Sequence, residues 1–268
     1  MSPTPTAPPY GTALADGIGP LNTALGRLSA GSTPDAIDGD LAQAEDAAAD
    51  AAAGLRLAVA PDAVADTHRQ LRTALERLAV DLGAVRSGLD AHRLCAPSSA
   101  LAETAAAQGL KDTAAALSAL ASAGYPATLT VPQAGPVQNR ALENGAFVRK
   151  GRADGHGELT VDNGGGGDAV LTLVRGSDTA YSFYVVKGRT AKVTGIRDGA
   201  YDVYFTGGSD WDAGTKRFTR DCSFTKFDDG LDFATTSRTY STWKLSLRPV
   251  VGGNASTTNV PADTFPAP

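Results

Sequence analysis

The chain is poor in the residues that usually carry chemistry. Among 268 residues there are two cysteines, one methionine, two tryptophans and three histidines. No apolar run approaches the roughly 18 residues of a membrane-spanning helix, so the chain as given is expected to contain no membrane span. Positive charge is not in excess: 24 basic against 29 acidic side chains leave a net −5, and a pI near 5.2 argues against a nucleic-acid partner. The common nucleophile, phosphate-loop and zinc-ligand signatures are missing too. The sequence therefore assigns no catalytic residue, no metal ligand and no cofactor. What it has in quantity is folding material. At 42% hydrophobic residues and modest net charge it is not intrinsically disordered, and its length suffices for one large domain or two ordinary ones.

The charge divides unevenly. Residues 1–133 carry 14 acidic and 8 basic side chains, a net −6; residues 134–268 carry 15 and 16, a net +1. Composition changes at the same place. Ala and Leu dominate the first half, while the second holds both Trp, all eight Phe and five of the seven Tyr. Ala and Leu favour helices, and aromatic and β-branched residues favour pleated sheet. The expected fold class is α+β in two domains: an N-terminal antiparallel α-helical bundle of about four helices and a C-terminal antiparallel β-sandwich. The boundaries read as a Pro/Thr-rich tether over 1–10, the bundle over 11–124, a linker over 125–145, the sandwich over 146–253 and a tail over 254–268.

Heptad spacing carries the helical half. Leu71, Leu75, Leu78, Leu82, Val85 and Leu89 form one seam, on a helix expected over 62–93. Ile37, Leu41, Ala44, Ala48, Ala51 and Leu55 form a second, started by Thr33-Pro34-Asp35. Leu14, Ile18, Leu21, Leu25 and Leu28 form a third, with Gly17, Gly19 and Pro20 expected to break or delay the helix. A fourth helix is expected over 98–123, divided at Gly109 and stopped by Gly124 and Pro126. Such seams suit an intramolecular core more than a lipid surface, because the outward faces mix acids with arginine.

From Gly157 the period becomes two, giving seven or eight short strands separated by Gly, Asp and Asn turns. The tetraglycine Gly164–Gly167 reads as a hairpin loop, since no Gly-Lys-Ser/Thr follows it. The stretch Val193-Thr-Gly195-Ile196-Arg-Asp198-Gly199-Ala-Tyr201-Asp-Val203-Tyr-Phe205 resembles a hairpin of transthyretin-like surface β-sandwich modules. That resemblance implies a rigid spacer or binding domain on an exported protein. The whole pattern, with Asp210-Trp-Asp212, Arg220-Asp-Cys222 and Phe227-Asp-Asp229, is similar to exported proteins of high-GC bacteria of unassigned function. Neither resemblance supplies a catalytic residue.

Location is expected to be extracellular or cell-surface, with a leader or lipid anchor removed ahead of the Pro/Thr tether; the alternative is cytoplasmic. Cys95 and Cys222 stand one in each half, and two readings stay open, a clamping disulfide and two buried thiols. Other candidates are weaker. His68 and His92 are 24 residues apart, about 36 Å along a helix, and cannot share a site. His92 with Cys95 offers two metal ligands where a site needs more, His156 reads as a loop residue, and Asp162, Asn163 and Asp168 lack calcium-loop spacing.

The main candidate is a contact loop, Asp210, Trp211 and Asp212, flanked by glycines, in which the indole would stack on a sugar or anchor a protein partner. The bland reading places Trp211 and Trp243 in the core and the aspartates at turns. Three functions follow: a non-enzymatic structural or protein-interaction protein; a carbohydrate-binding module acting through that loop on a cell-wall or glycan surface; and a carboxylate hydrolase using Asp212, Asp228 or Asp229.

Overall fold

A computed structural model describes residues 9–248 and 255–268. Residues 1–8 of the tether expected over 1–10, and the boundary between sandwich and tail at 253–254, lie outside the described residues. Tyr10, the last residue of that expected tether, is instead buried as the first residue of a helix. The chain divides into two compact units at Val137 and Gln138.

The described residues of unit 1 form five α-helices: α1 (Tyr10–Arg27), α2 (Pro34–Leu57), α3 (Ala65–Asp90), α4 (Pro97–Ala106) and α5 (Gln108–Ser122). All three heptad seams are buried in one apolar core. The Thr33 hydroxyl accepts the Ala36 N–H at 3.2 Å, capping α2 directly before Pro34. Two expectations need correction. Gly17, Gly19 and Pro20 do not interrupt α1. Pro20 leaves the Asp16 carbonyl without its helical donor, but both residues are exposed, where solvent satisfies that carbonyl. A Cβ at Gly17 would meet Ala51 and Leu55 of α2 at an ordinary contact distance of 3.8 Å, so the packing of α1 on α2 does not depend on the glycine. The fourth segment does break, but at Ala107, whose ψ of 136° is extended. Gly109 has a different task. A Cβ there would stand 2.4 Å from the Leu78 nitrogen, so only glycine lets α5 start against the backbone of α3. Asp81 then accepts the Gly109 N–H at 2.7 Å, capping α5 from the neighbouring helix.

The expected linker is engaged at both ends. After Gly124 (φ 92°) ends α5, Tyr125, Ala127 and Leu129 pack on the helical core. Asn22 donates to the Thr128 carbonyl at 2.8 Å and accepts from the Thr130 N–H at 2.6 Å, pairing with the extended chain as a strand would.

The described residues of unit 2 form ten strands: β1 (Phe147–Arg149), β2 (Gly157–Asp162), β3 (Asp168–Arg175), β4 (Asp178–Val185), β5 (Thr190–Ile196), β6 (Gly199–Asp212), β7 (Arg217–Phe227), β8 (Leu231–Phe233), β9 (Thr242–Ser246) and β10 (Thr257–Asn259). Seven form one antiparallel sheet, ordered β1-β4-β3-β6-β7-β10, with β8 on the start of β6. The other three are ordered β5-β2-β9. Leu159 and Val161 of that smaller sheet share an apolar core with Leu171, Phe183 and Val203 of the larger one.

Three local readings change. β2 and β9 pair in parallel, the exception among the antiparallel ladders of the described residues. Gly164–Gly167 is a crossover between sheets and not a hairpin loop, because β2 and β3 belong to different sheets. The Val193–Phe205 stretch is likewise a corner: β5 and β6 lie in different sheets, and the Tyr201 hydroxyl donates to the Arg197 carbonyl at 3.0 Å to hold it.

Candidate functional site

Asp210, Trp211 and Asp212 are not in a loop. They form the last turn-ward residues of β6, where Trp211 stands opposite Phe218 and Asp212 opposite Arg217 on β7. The glycines suggested a loop, yet Gly208 is a close-approach residue within the strand: a Cβ there would meet Phe218 Cβ at 2.5 Å. A bulge follows, with an extra residue on β7 between Ser223 and Arg220, where Asp221 is left-handed (φ 54°). Asp210 is left-handed as well (φ 58°), a conformation aspartate tolerates better than most residues.

The indole of Trp211 is 2% exposed. Its ring centroid is 5.0 Å from Phe218 and 6.0 Å from Tyr184, edge-to-face in both cases. It presents no face on which a sugar could stack. Around it the two aspartates hold Arg140. The Arg140 Nε and Nη2 donate to Asp210 Oδ1 and Oδ2 at 2.9 and 2.8 Å, the Arg140 main-chain N–H adds a third bond at 2.8 Å, and Nη1 reaches Asp212 Oδ2 at 3.1 Å. Thr219 donates to Asp210 Oδ2 at 2.7 Å, and the Trp211 N–H donates to the Arg140 carbonyl at 2.8 Å. Residues near 140 are thereby fixed to the end of the sheet. Asp212 also accepts the Gly214 and Thr215 N–H groups, closing the β6–β7 turn.

The charges respond to this geometry. Hydrogen bonds from Arg140 hold the Asp210 carboxyl well below the usual carboxylate range, against the opposing effect of burial, and the same bonds raise Arg140. Asp212 is lowered chiefly by the Thr215 N–H. A folded pKa below the ordinary 3.8 makes Asp210 stabilising above that value, complete above about pH 5 and lost as the pH falls through it. Urea midpoints of wild type and Asp210→Asn measured from pH 6 to pH 2 should therefore converge toward the acid end; a constant gap would contradict the assignment.

The other candidates are also engaged or apart. Asp212 and Asp228 lie at opposite ends of β7, whose ten steps from Arg217 to Phe227 span roughly 33 Å. Glycosidase carboxylates stand about 5–9.5 Å apart. Asp228 accepts the Thr258 hydroxyl at 2.7 Å. Asn163 is 1% exposed and donates to the Gly167 and Val185 carbonyls while accepting the Gly165 N–H, so it organises the glycine crossover. Asp168 accepts the Tyr184 hydroxyl at 2.5 Å and the Lys187 N–H at 2.8 Å. A cleft of about 440 Å³ opens beside that crossover, bounded by Asp168, Ser209, Asp221 and Ser223. Among the described residues no three His, Cys, Asp or Glu side chains gather as a metal site. His68 is buried, 3.1 Å from the Tyr10 hydroxyl, and burial lowers its pKa; His156 is exposed. Neither cysteine is a free thiol.

One feature escaped the sequence. Trp243, which the bland reading placed in the core with Trp211, is 40% exposed on β9, and Tyr240 just before it is 49% exposed. The signal available was the run of Thr, Ser and cations around them, which reads as a solvent-facing edge. No family model, curated protein or solved structure matches the chain.

Proposed function

We propose that the chain is a non-catalytic, exported or surface-held protein, a helical bundle joined to a β-sandwich, which acts as structure or in binding other proteins. The observation that carries this reading is the engagement of Asp210 and Asp212 by Arg140 around a buried Trp211. The side chains best suited to chemistry hold the fold together, and aromatic surface is offered elsewhere, at Tyr240 and Trp243. Two cysteines, neither of them free, suit an oxidising compartment, and we read them as a Cys95–Cys222 bond. A second reading, glycan binding, is favoured by those same exposed rings, which moves it from Trp211 to Trp243.

The immobilised chain, presented to a glycan array and to envelope proteins of the native host, separates these readings. A protein retained on it and displaced by soluble chain, with no glycan bound, is the expected result. Saturable glycan binding lost in Trp243→Ala would favour the second reading. Turnover of a glycoside or ester panel that disappears in Asp212→Asn would overturn the non-catalytic assignment. In the same preparation, alkylation of unfolded chain should label no cysteine before reduction and two after it.

A further inference from the structure

The smaller sheet ends on an open strand. β9 pairs with β2, and no strand lies on its other side among the described residues. The Glu158 N–H donates to the Ser241 carbonyl at 3.1 Å and the Leu247 N–H to the Asp162 carbonyl at 3.0 Å. Odd-numbered residues of this strand thus turn their main-chain groups toward β2, and Thr242, Lys244 and Ser246 turn theirs outward. Such a row of donors and acceptors is a template for another strand.

Charge indicates which kind of strand. Between residues 236 and 248 the chain carries Arg238, Lys244 and Arg248 and no acid, in a protein of net −5. None of these three cations makes an ion pair among the described residues, whereas the nearby Lys192 is taken by Glu158 at 2.8 Å. On the outer face Thr160 stands between Lys192, which Glu158 engages, and Lys244, with Asp162 opposite Ser246. Lys244 is therefore the cation of this face left without an ion pair among the described residues, and it stands on the open strand. A second copy pairing antiparallel about the middle of β9 would set Lys244 against Lys244, which is unfavourable. An acidic strand meets no such penalty. Trp243, half-exposed with its Nε1–H tied to the Asp232 carbonyl at 2.9 Å, adds a fixed apolar surface at the same edge.

We propose that the outer edge of β9 accepts an extended acidic segment of a partner protein as a fourth strand, its carboxylates over Arg238, Lys244 and Arg248 and an apolar side chain against Trp243. This rests on the reading of the chain as a protein-binding module and names the chemistry of the partner.

The test uses the full chain and two blocked octapeptides, one alternating Glu with Val and one alternating Lys with Val. The acidic peptide should bind saturably, more weakly as salt rises, and slow hydrogen exchange at the Thr242, Lys244 and Ser246 amides by about tenfold or more, with the basic peptide inert. Lys244→Pro removes an outward donor without touching the bonds to β2 and should abolish binding. Lys244→Gln, which keeps the amide and removes the charge, should weaken it and retain the exchange protection at saturation. Both variants are checked for an unchanged spectrum elsewhere. Binding that leaves those amides unprotected, equal binding of the basic peptide, or no binding at low salt would each overturn the proposal. A protein partner of the chain whose binding is indifferent to Lys244→Pro would do the same while leaving the protein-binding reading in place.

Discussion

Trp211→Ala is expected to destabilise unit 2 by about 3–5 kcal/mol, the cost of removing a buried aromatic and leaving its cavity. The indole is 2% exposed and sits against Tyr184 and Phe218. The bond from the Trp211 main-chain N–H to the Arg140 carbonyl survives the substitution, so the loss reports on the side chain alone. Urea unfolding of wild type and variant, followed by far-ultraviolet circular dichroism, measures the difference. Trp211→Phe retains part of the contact and should lose about half as much. A ligand-facing indole would behave otherwise: Trp211→Ala would then cost less than about 1 kcal/mol, as surface substitutions do, and would abolish binding.

Gly109→Ala carries the next largest effect, in unit 1. The added methyl would lie 2.4 Å from the Leu78 nitrogen and 2.6 Å from its Cα. Those are main-chain atoms of a buried helix, and no side-chain rotation relieves them. Either α5 withdraws, breaking the 2.7 Å bond from the Gly109 N–H to Asp81, or α3 bends. We expect a loss of about 3 kcal/mol, at the upper end for overpacking because backbone must move. The same substitution at Gly39, exposed on α2 with nothing within 4 Å of a Cβ, should stabilise by about 0.5–1 kcal/mol through helix propensity alone. Thermal or urea unfolding of the two variants gives opposite signs if contact decides; equal shifts would contradict the packing argument.

The helical half was legible because periodicity is a local property. Leu71 to Leu89 and Ile37 to Leu55 bury as their spacing requires. Gly109 misled because a glycine in a helix reads as a hinge, and close approach depends on Leu78, some thirty residues away. In the second half the strands were legible and their partners were not. A turn such as Gly164–Gly167 looks the same whether the strands it joins are neighbours or belong to different sheets, and nothing local announces that β9 runs parallel to β2. The site was misplaced for a related reason. Gly207, Gly208, Ser209 and Asp210 have loop chemistry, yet the close approach of Phe218 and the bulge on β7 make them strand. Arg140, the residue that explains both aspartates, lies 70 positions away in what reads as linker.

The engagement of Asp210 by Arg140 is the premise on which the non-catalytic reading stands, and a double-mutant cycle over Arg140→Met and Asp210→Asn measures it at neutral pH. The pair is bidentate, with Asp210 4% and Arg140 41% exposed at the side chain. Partial exposure of the arginine puts the expected coupling at about 2 kcal/mol, below the 3–5 for breaking a fully buried pair. The double variant should then be little less stable than either single one. Additivity within about 0.5 kcal/mol would contradict the account and return Asp210 to the candidates for ligand contact.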